Sequence, residues 1–235
     1  MDNSICVLIP VYNQAKYLFR AVTSALWQLG PRDELIVVDD GSTDLEDYDG
    51  IRDFLKRVMW LTNKTRRGLS YSRNAAIKRS WAEWIKFLDA DDVLAPFALD
   101  ALRNVLGEMP SYIQVVTGGC HRIVDGRYVD YLNGTAESLK RILRANPILV
   151  SATFVRREAL LAVCLFDERI DFEEDWDMWL RLYERFGLKS FAVTSQPICY
   201  YWIDRKERNE KARTYAVEGV PVRDYFRQRY GVVTE

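Results

Sequence analysis

Trp84-Ile85-Lys86-Phe87-Leu88-Asp89-Ala90-Asp91-Asp92 is a short apolar run that ends in three carboxylates. Its mostly apolar part, Trp84–Leu88, suits a strand covered on both faces. Carboxylates crowded at its exit repel one another unless solvent or a cation relieves them. Oxygen ligands so placed point to a hard divalent metal, and the metal points to a phosphorylated substrate. A second acidic cluster, Glu173-Glu174-Asp175, lies far downstream and can supply a base.

The alternation around this stretch predicts the rest of the sheet. Upstream, Ile5–Val11 reads as a strand, and Gln14–Leu29 carries Leu18, Val22, Ala25, Leu26 and Leu29 at helical spacing before Gly30-Pro31 stops it. Leu35–Val38 and Val58–Leu61 read as further strands, with a weak helix at Ile51–Lys56 between them. Ser70–Arg79 and Pro96–Leu106 read as helices. Strands joined through helices favour an α/β fold with a mostly parallel central sheet flanked by helices.

After Gly107 the alternation weakens. Tyr112–Val116, Cys120–Val124 and Arg127–Tyr131 read as short strands, with Asp125-Gly126 as a hairpin turn. Leu139–Arg144 and Arg157–Val163 read as helices, Leu149–Val155 as a return to the sheet, Asp175–Phe186 as a strong helix and Phe191–Trp202 as a strand. Asp204–Lys211 reads as charged and exposed. This half implies a small mixed second sheet. One domain over 1–235 is expected, with halves at 1–107 and 108–203 and a charged tail at 204–235.

The chain has 235 residues, 33 basic and 34 acidic side chains and a formal charge of −1, which argues against nucleic acid as a partner. Four dispersed cysteines form no CxxC motif and read as buried thiols. The polar start before Ile5 is unlike a signal peptide, and no apolar run is long enough to span a bilayer. Cytoplasmic residence is therefore expected, with peripheral membrane association open. One histidine, His121, excludes a multi-histidine zinc centre and reads as structural or acceptor-facing. Neither a GxxxxGK[ST] loop nor a GxGxxG after Ile5–Val11 is present, so phosphate charge falls to a metal and individual side chains.

In parallel α/β proteins, sites form where the chain leaves the carboxyl ends of strands. Four such exits are polar here: Tyr12-Asn13, Asp39-Asp40, Asn63–Arg67 and Asp89–Asp92. Tyr12 can stack a base, Asp40 can bond a base or ribose, and Arg67 and Arg73 can contact charge. Each also has a plainer reading: packing for Tyr12, a capped turn for Asp39–Asp44, and surface charge for the arginines.

Taken in order, Ile9-Pro10-Val11-Tyr12-Asn13, Val37-Val38-Asp39-Asp40-Gly41-Ser42-Thr43-Asp44, Gly68 with Ser72-Arg73-Asn74-Ala75-Ala76, Phe87–Asp92 and Glu174-Asp175-Trp176-Asp177-Met178-Trp179-Leu180-Arg181-Leu182 resemble the inverting family 2 glycosyltransferases. That resemblance implies the nucleotide-sugar-binding GT-A fold. It places Pro10, Tyr12, Asn13, Asp40, Arg67, Arg73, Asp89 and Ala90 at the nucleotide. Asp91, with Asp89, would hold Mn²⁺ or Mg²⁺, and Asp92 would be an accessory. Asp175 would be the general base, with Glu174 as its rival. Trp176 and His121 would face the acceptor.

The implied reaction moves a hexose or N-acetylhexosamine from a UDP-sugar, or less readily a dTDP-sugar, to a glycan or lipid-linked saccharide. The ending Cys199–Lys206 departs from the family by lacking the histidine often found there. A sugar-phosphate nucleotidyltransferase and a non-catalytic nucleotide-sugar or glycan binding module are the alternatives. The missing early pyrophosphate loop disfavours the first. Retention of both acidic clusters disfavours the second.

Overall fold

The buried runs of the first half become β1 (Ile5–Val11), β2 (Glu34–Asp39), β3 (Met59–Thr62) and β4 (Trp84–Phe87), parallel in the order β3-β2-β1-β4. The computed structural model describes residues 3–44, 57–132, 134–203, 216–217 and 220–231. The helix expected at 51–56 and the charged stretch 204–211 lie outside the described residues. Every residue of β1 is buried, which explains its lack of apolar–polar alternation. Its side chains divide between two core clusters, Cys6 and Leu8 in one and Ile5, Val7, Ile9 and Val11 in the other.

Helices close both faces. Helix α1 (Ala15–Leu26) buries Ala15, Leu18, Ala21, Val22 and Ala25, and α3 (Ala98–Glu108) buries Ala98, Leu99, Leu102 and Leu106, all in the second cluster. Helix α2 (Leu69–Arg79) supplies Ala76 and Ile77 to the first. Each fully buried Leu or Ile contributes roughly 1.5–3 kcal/mol, so these stripes anchor the helices. Both clusters include residues from before and after Gly107.

The second half extends the same sheet with mixed directions. Its elements are β5 (Val93–Leu94), β6 (Val115–Val124), β7 (Arg127–Leu132), α4 (Ala136–Leu139), β8 (Thr153–Arg156), α5 (Arg157–Ala162), α6 (Glu174–Phe186), β9 (Phe191–Ile203), β10 (Ala216–Val217), β11 (Val220–Pro221) and α7 (Val222–Tyr230). Strand β8 runs antiparallel between β4 and β6, β9 lies parallel to β6, and β5 and β7 pair antiparallel with β9 and β6. The path β3-β2-β1-β4-β8-β6-β9-β5, with β7 on β6, makes one nine-stranded sheet. Strands β10 and β11 form a separate antiparallel pair.

Three expectations shift. The two strands expected around Gly118-Gly119 are one, because these glycines serve close approach. A Cβ on Gly118 would meet Ile198 Cγ1 at 2.5 Å, and one on Gly119 would strike the Tyr131 hydroxyl. The helix expected over 139–144 begins earlier, at a capping box in which Thr135 and Ser138 exchange side-chain and backbone bonds, and continues as turns. Part of the expected tail is helix α7, whose stripe is too sparse to read: Phe226 is buried, while Tyr225 and Tyr230 are partly buried. The Asp125-Gly126 hairpin forms as expected, joining Val124 to its partner Arg127.

Candidate active site

The exits of β1, β2 and β4 lie side by side because those strands are adjacent and parallel. At the first, Asn13 adopts φ 52°, a left-handed conformation that asparagine tolerates. Its amide donates to Ser42 Oγ at 3.0 Å, and its Oδ1 accepts from the Thr43 amide at 2.8 Å. Asn13 thus ties the first exit to the second. Tyr12 is 37% exposed, and the Arg66 guanidinium lies 4.8 Å from its ring centre. Pro10 is buried inside β1, opposite Val38. Its side chain is sealed from a ligand, a correction to its placement at the nucleotide.

Asp40 is buried and accepts three bonds, from Asn63 Nδ2 at 2.7 Å and from the Arg67 and Gly68 amides at 2.8 Å each. It braces the loop leading into α2. A carboxylate has about four lone-pair sites, so one remains for a ligand. Gly41 is required here: its φ is +77°, and a Cβ would lie 2.8 Å from the Thr65 carbonyl carbon. Arg67 is exposed, with its guanidinium 4.2 Å from the Tyr71 ring centre.

The third exit is not a three-carboxylate cage. Asp89 and Asp91 keep partial exposure, whereas Asp92 is fully buried and accepts from the Trp202 amide at 2.9 Å. Burial, then the charges of Asp91 and Asp89, push the Asp92 carboxyl well above its ordinary range. Asp92 is therefore a structural acid that fixes β9 to the turn, a correction to its expected accessory role at a metal. Ala90 is buried too, leaving its backbone as the group able to meet a ligand. Lys86 is fully buried beneath the turn, donating to Phe87 O at 2.6 Å and to Ser151 O. Burial lowers it to about 8. Ser151 Oγ in turn accepts from the Asp89 amide at 3.1 Å.

Arg73 joins the two acidic clusters. Its side chain is 1% exposed, and it donates to Asp89 Oδ1 at 3.0 Å and to Glu174 Oε1 at 2.6 Å. Burial pulls its pKa down, but the charges of Asp89, Glu174 and Asp175 outweigh that and hold it above the ordinary value. Arginine suits this position because its rigid fork presents donors in two directions.

Asp175, one residue further along α6, has neutral donors: Asn146 Nδ2 at 3.0 Å and the Trp176 amide at 2.8 Å, both on Oδ1. Desolvation, then the charge of Glu174, raises it to about 7, against a smaller lowering by Arg73. The two neighbouring acids are thus differentiated. Glu174 pairs with a cation, while Asp175 meets neutral donors and lies well above the usual carboxylate range.

The expected acceptor residues separate from this cluster. Trp176 is 3% exposed, its Nε1 donates to Ile142 O at 2.8 Å, and its ring packs edge-on against Phe226 at 5.0 Å. It belongs to the core, a correction to its expected contact with acceptor. His121 lies on β6, half-buried, with ring centres of Tyr200 and Tyr131 at 5.0 and 4.9 Å. Two contributors escaped the sequence. Arg20 of α1 donates to Asp91 O at 2.6 Å and lies 4.1 Å from the Trp202 ring centre. Asn146, just past the helix expected over 139–144, holds Asp175. Nothing local in the sequence marks Arg20, but an Asn-Pro turn upstream of an acidic helix start was a usable signal for Asn146.

The sequence profile described as glycosyl transferase family 2 matches residues 6–161. The chain belongs to glycosyl transferase family 2. Among its relatives, an uncharacterised glycosyltransferase of Haemophilus influenzae is 31% identical over 169 residues, covering 66% of the chain and 63% of the relative. The minor teichoic acid biosynthesis protein GgaA of Bacillus subtilis is 28% identical over 230 residues, covering 86% of the chain and 48% of GgaA. The chain spans 27% of the length of another uncharacterised glycosyltransferase, from Rickettsia bellii.

Residues 1–349 of S. aureus TarS, crystallised with UDP-GlcNAc, superpose with a TM-score of 0.71 at 21% identity, covering 91% of this family 2 chain and 62% of the TarS chain. The shared architecture is the GT-A-like fold expected from the sequence. Among the described residues, no helix of this family 2 member is long and apolar enough to cross a membrane.

Proposed function

We propose that this protein is an inverting glycosyltransferase that moves a hexose or N-acetylhexosamine from a UDP-sugar to a hydroxyl of a cell-surface glycan or lipid-linked saccharide. The observation that carries the mechanism is the unequal treatment of Glu174 and Asp175. Arg73 pairs with Glu174 at 2.6 Å, whereas Asp175 meets neutral donors and is raised to about 7. A general base works best with a pKa near the working pH. Asp175 accepts the proton of the acceptor hydroxyl as that oxygen attacks the anomeric carbon. The bond to the diphosphate breaks on the opposite face, inverting the configuration, and nucleoside diphosphate leaves.

The donor nucleotide lies across the exits of β1, β2 and β4. Tyr12 offers a ring face to the base, Asp40 its remaining lone pair, and Arg66 and Arg67 charge. UDP is favoured over dTDP; TarS structures with UDP and with UDP-GlcNAc support a nucleotide-sugar in this fold.

Asp91 and Asp89 fit Mn²⁺ or Mg²⁺ as oxygen ligands on a partly exposed turn. Among the described residues, no group of three or more His, Cys, Asp or Glu side chains could hold a metal, so substrate phosphates would complete the coordination. When bound, such an ion neutralises the diphosphate and the charge growing on the leaving group. The protein's own part is to hold Asp89 against Arg73 and to fix the turn through Asp92, Ser151 and Lys86. Action at the cytoplasmic membrane surface is part of the proposal.

Calorimetry with UDP, dTDP, GDP, CDP and ADP, each with Mn²⁺ and with EDTA, tests the donor assignment. Selective, metal-dependent binding of UDP is expected. Equal binding of all five, or binding indifferent to EDTA, would sink it.

A further inference from the structure

Helix α6 begins badly by its own means. Glu173, its N-cap, sits at φ 57°, a left-handed conformation unfavourable for a non-glycine residue, and contributes no side-chain cap. Such strain persists where surrounding contacts over-determine it. Those contacts fall on four consecutive residues. Glu174 is tied to Arg73, Asp175 to Asn146, Trp176 to Ile142 O, and Asp177 to Arg181 through Nε and Nη2 at 2.8 and 2.6 Å.

Two of the four have a further partner in α7. The Phe226 ring, fully buried, packs on Trp176, and the Tyr230 hydroxyl donates to Asp177 Oδ1 at 2.5 Å. Arg229 adds charge 3.7 Å from the same carboxylate. Asp177 is 0% exposed, so loss of the Tyr230 donor would leave a buried carboxylate oxygen short of a partner. Helix α7 lies outside residues 6–161, the region matched by the family profile.

We propose that α7 is a clamp on the catalytic turn, with Phe226 and Tyr230 as positioning residues that hold Asp175 in its working orientation. Neither touches substrate; both act through Trp176 and Asp177, the residues that follow Asp175. The clamp rests on the assignment of Asp175 as base. A displacement of about 1 Å in a reacting group can cost on the order of a hundredfold in rate, so a distant contact of this kind is kinetically visible.

The test uses the full chain and the variants Tyr230→Phe, Phe226→Leu and Asp175→Asn. UDP release from UDP-GlcNAc with Mn²⁺ gives kcat and donor KM, and amide hydrogen exchange reports residues 174–178. In Tyr230→Phe, kcat should fall about tenfold, a loss of the size expected for one buried charge-assisted bond, with donor KM within about twofold. Exchange should quicken in the first turn of α6 and be unchanged in β1 and β4. Phe226→Leu, which keeps an apolar filler, should lose less and recover exchange protection.

Wild-type kcat and wild-type exchange in Tyr230→Phe and Phe226→Leu overturn the clamp. So does a loss spread evenly over kcat, KM and all exchange, which marks general destabilisation. If Asp175→Asn keeps wild-type turnover, the base assignment fails instead. If UDP-GlcNAc is not turned over by the wild type, the exchange data alone decide the clamp.

Discussion

The two acidic turns, 89–92 and 173–177, use the same chemical groups to opposite ends. Each has one acid held by Arg73, Asp89 in the first and Glu174 in the second. Each buries another completely: Asp92 on the Trp202 amide, and Asp177 on Arg181 and Tyr230. They differ in the remaining acid. Asp91 sits partly exposed on a turn at a strand exit. Asp175 is desolvated on a helix and raised to about 7, an environment suited to taking a proton. Solvent and partners, not residue type, set how each carboxylate behaves, and the proposed roles of metal ligand and base follow that division.

The sharpest way to break this comparison is to neutralise Asp175 and its neighbour Glu174 in turn. Asp175→Asn should cut kcat by about a thousandfold, within the usual range for a general base, and leave nucleotide affinity nearly unchanged. Glu174→Gln should behave differently, lowering stability before turnover. Ordinary activity in Asp175→Asn would falsify the assignment of base to that turn.

Arg73→Met removes the cation common to both turns. Breaking a buried ion pair by deleting one partner costs about 3 kcal/mol, read here as a lower urea midpoint. Arg73→Lys should rescue little, since one ammonium cannot reproduce the fork. Equal stability of Arg73→Met and wild type would show that the turns are energetically independent.

Asp91→Asn should weaken Mn²⁺-dependent UDP binding by about tenfold to a hundredfold, with little change in EDTA. A loss of the same size in EDTA would assign Asp91 to the nucleotide instead.

The pH dependence sharpens the second turn. Asp175 must be unprotonated to act as base, so kcat/KM should fall about tenfold per unit below pH 7 and level off above it. Stability runs the other way. Its folded pKa lies above the ordinary carboxylate value, so the fold disfavours the charged form. That penalty is absent below about pH 4, grows through pH 7 and is full above it. Asp175→Asn should therefore melt a few degrees higher than wild type at pH 8 and at the same temperature at pH 4. A melting gain larger at pH 4 than at pH 8 would contradict the environment described for Asp175.

Much of the fold was legible because parallel central strands are written as unbroken apolar runs: β1, β2 and β4 differ from their expected spans by no more than a residue at either end. Four exits and both acidic clusters were legible for the same reason, since polar residues following buried strands stand out. Partnerships formed across more than a hundred residues were not. Arg73 to Glu174 and Asp92 to Trp202 depend on how α6 and β9 return to the sheet. The family resemblance ranked Asp91 above Asp92, but the full burial of Asp92 shows only in the structure. Trp176 was misplaced for a related reason: an aromatic beside a base can face a ligand or the core, and Ile142 and Phe226 claim this one.

The buried position of Arg73 also limits how such a protein can diversify. A chain cut at Gly107 leaves Arg73 in one piece without Glu174, and Glu174 in the other without its cation. Neither half can therefore be exchanged with that of a distant relative as an inert cassette. Recombination that grafts a new second half onto this first half must bring an acid to the start of α6, or Arg73 keeps Asp89 and loses the shorter of its two ion pairs in the middle of the protein.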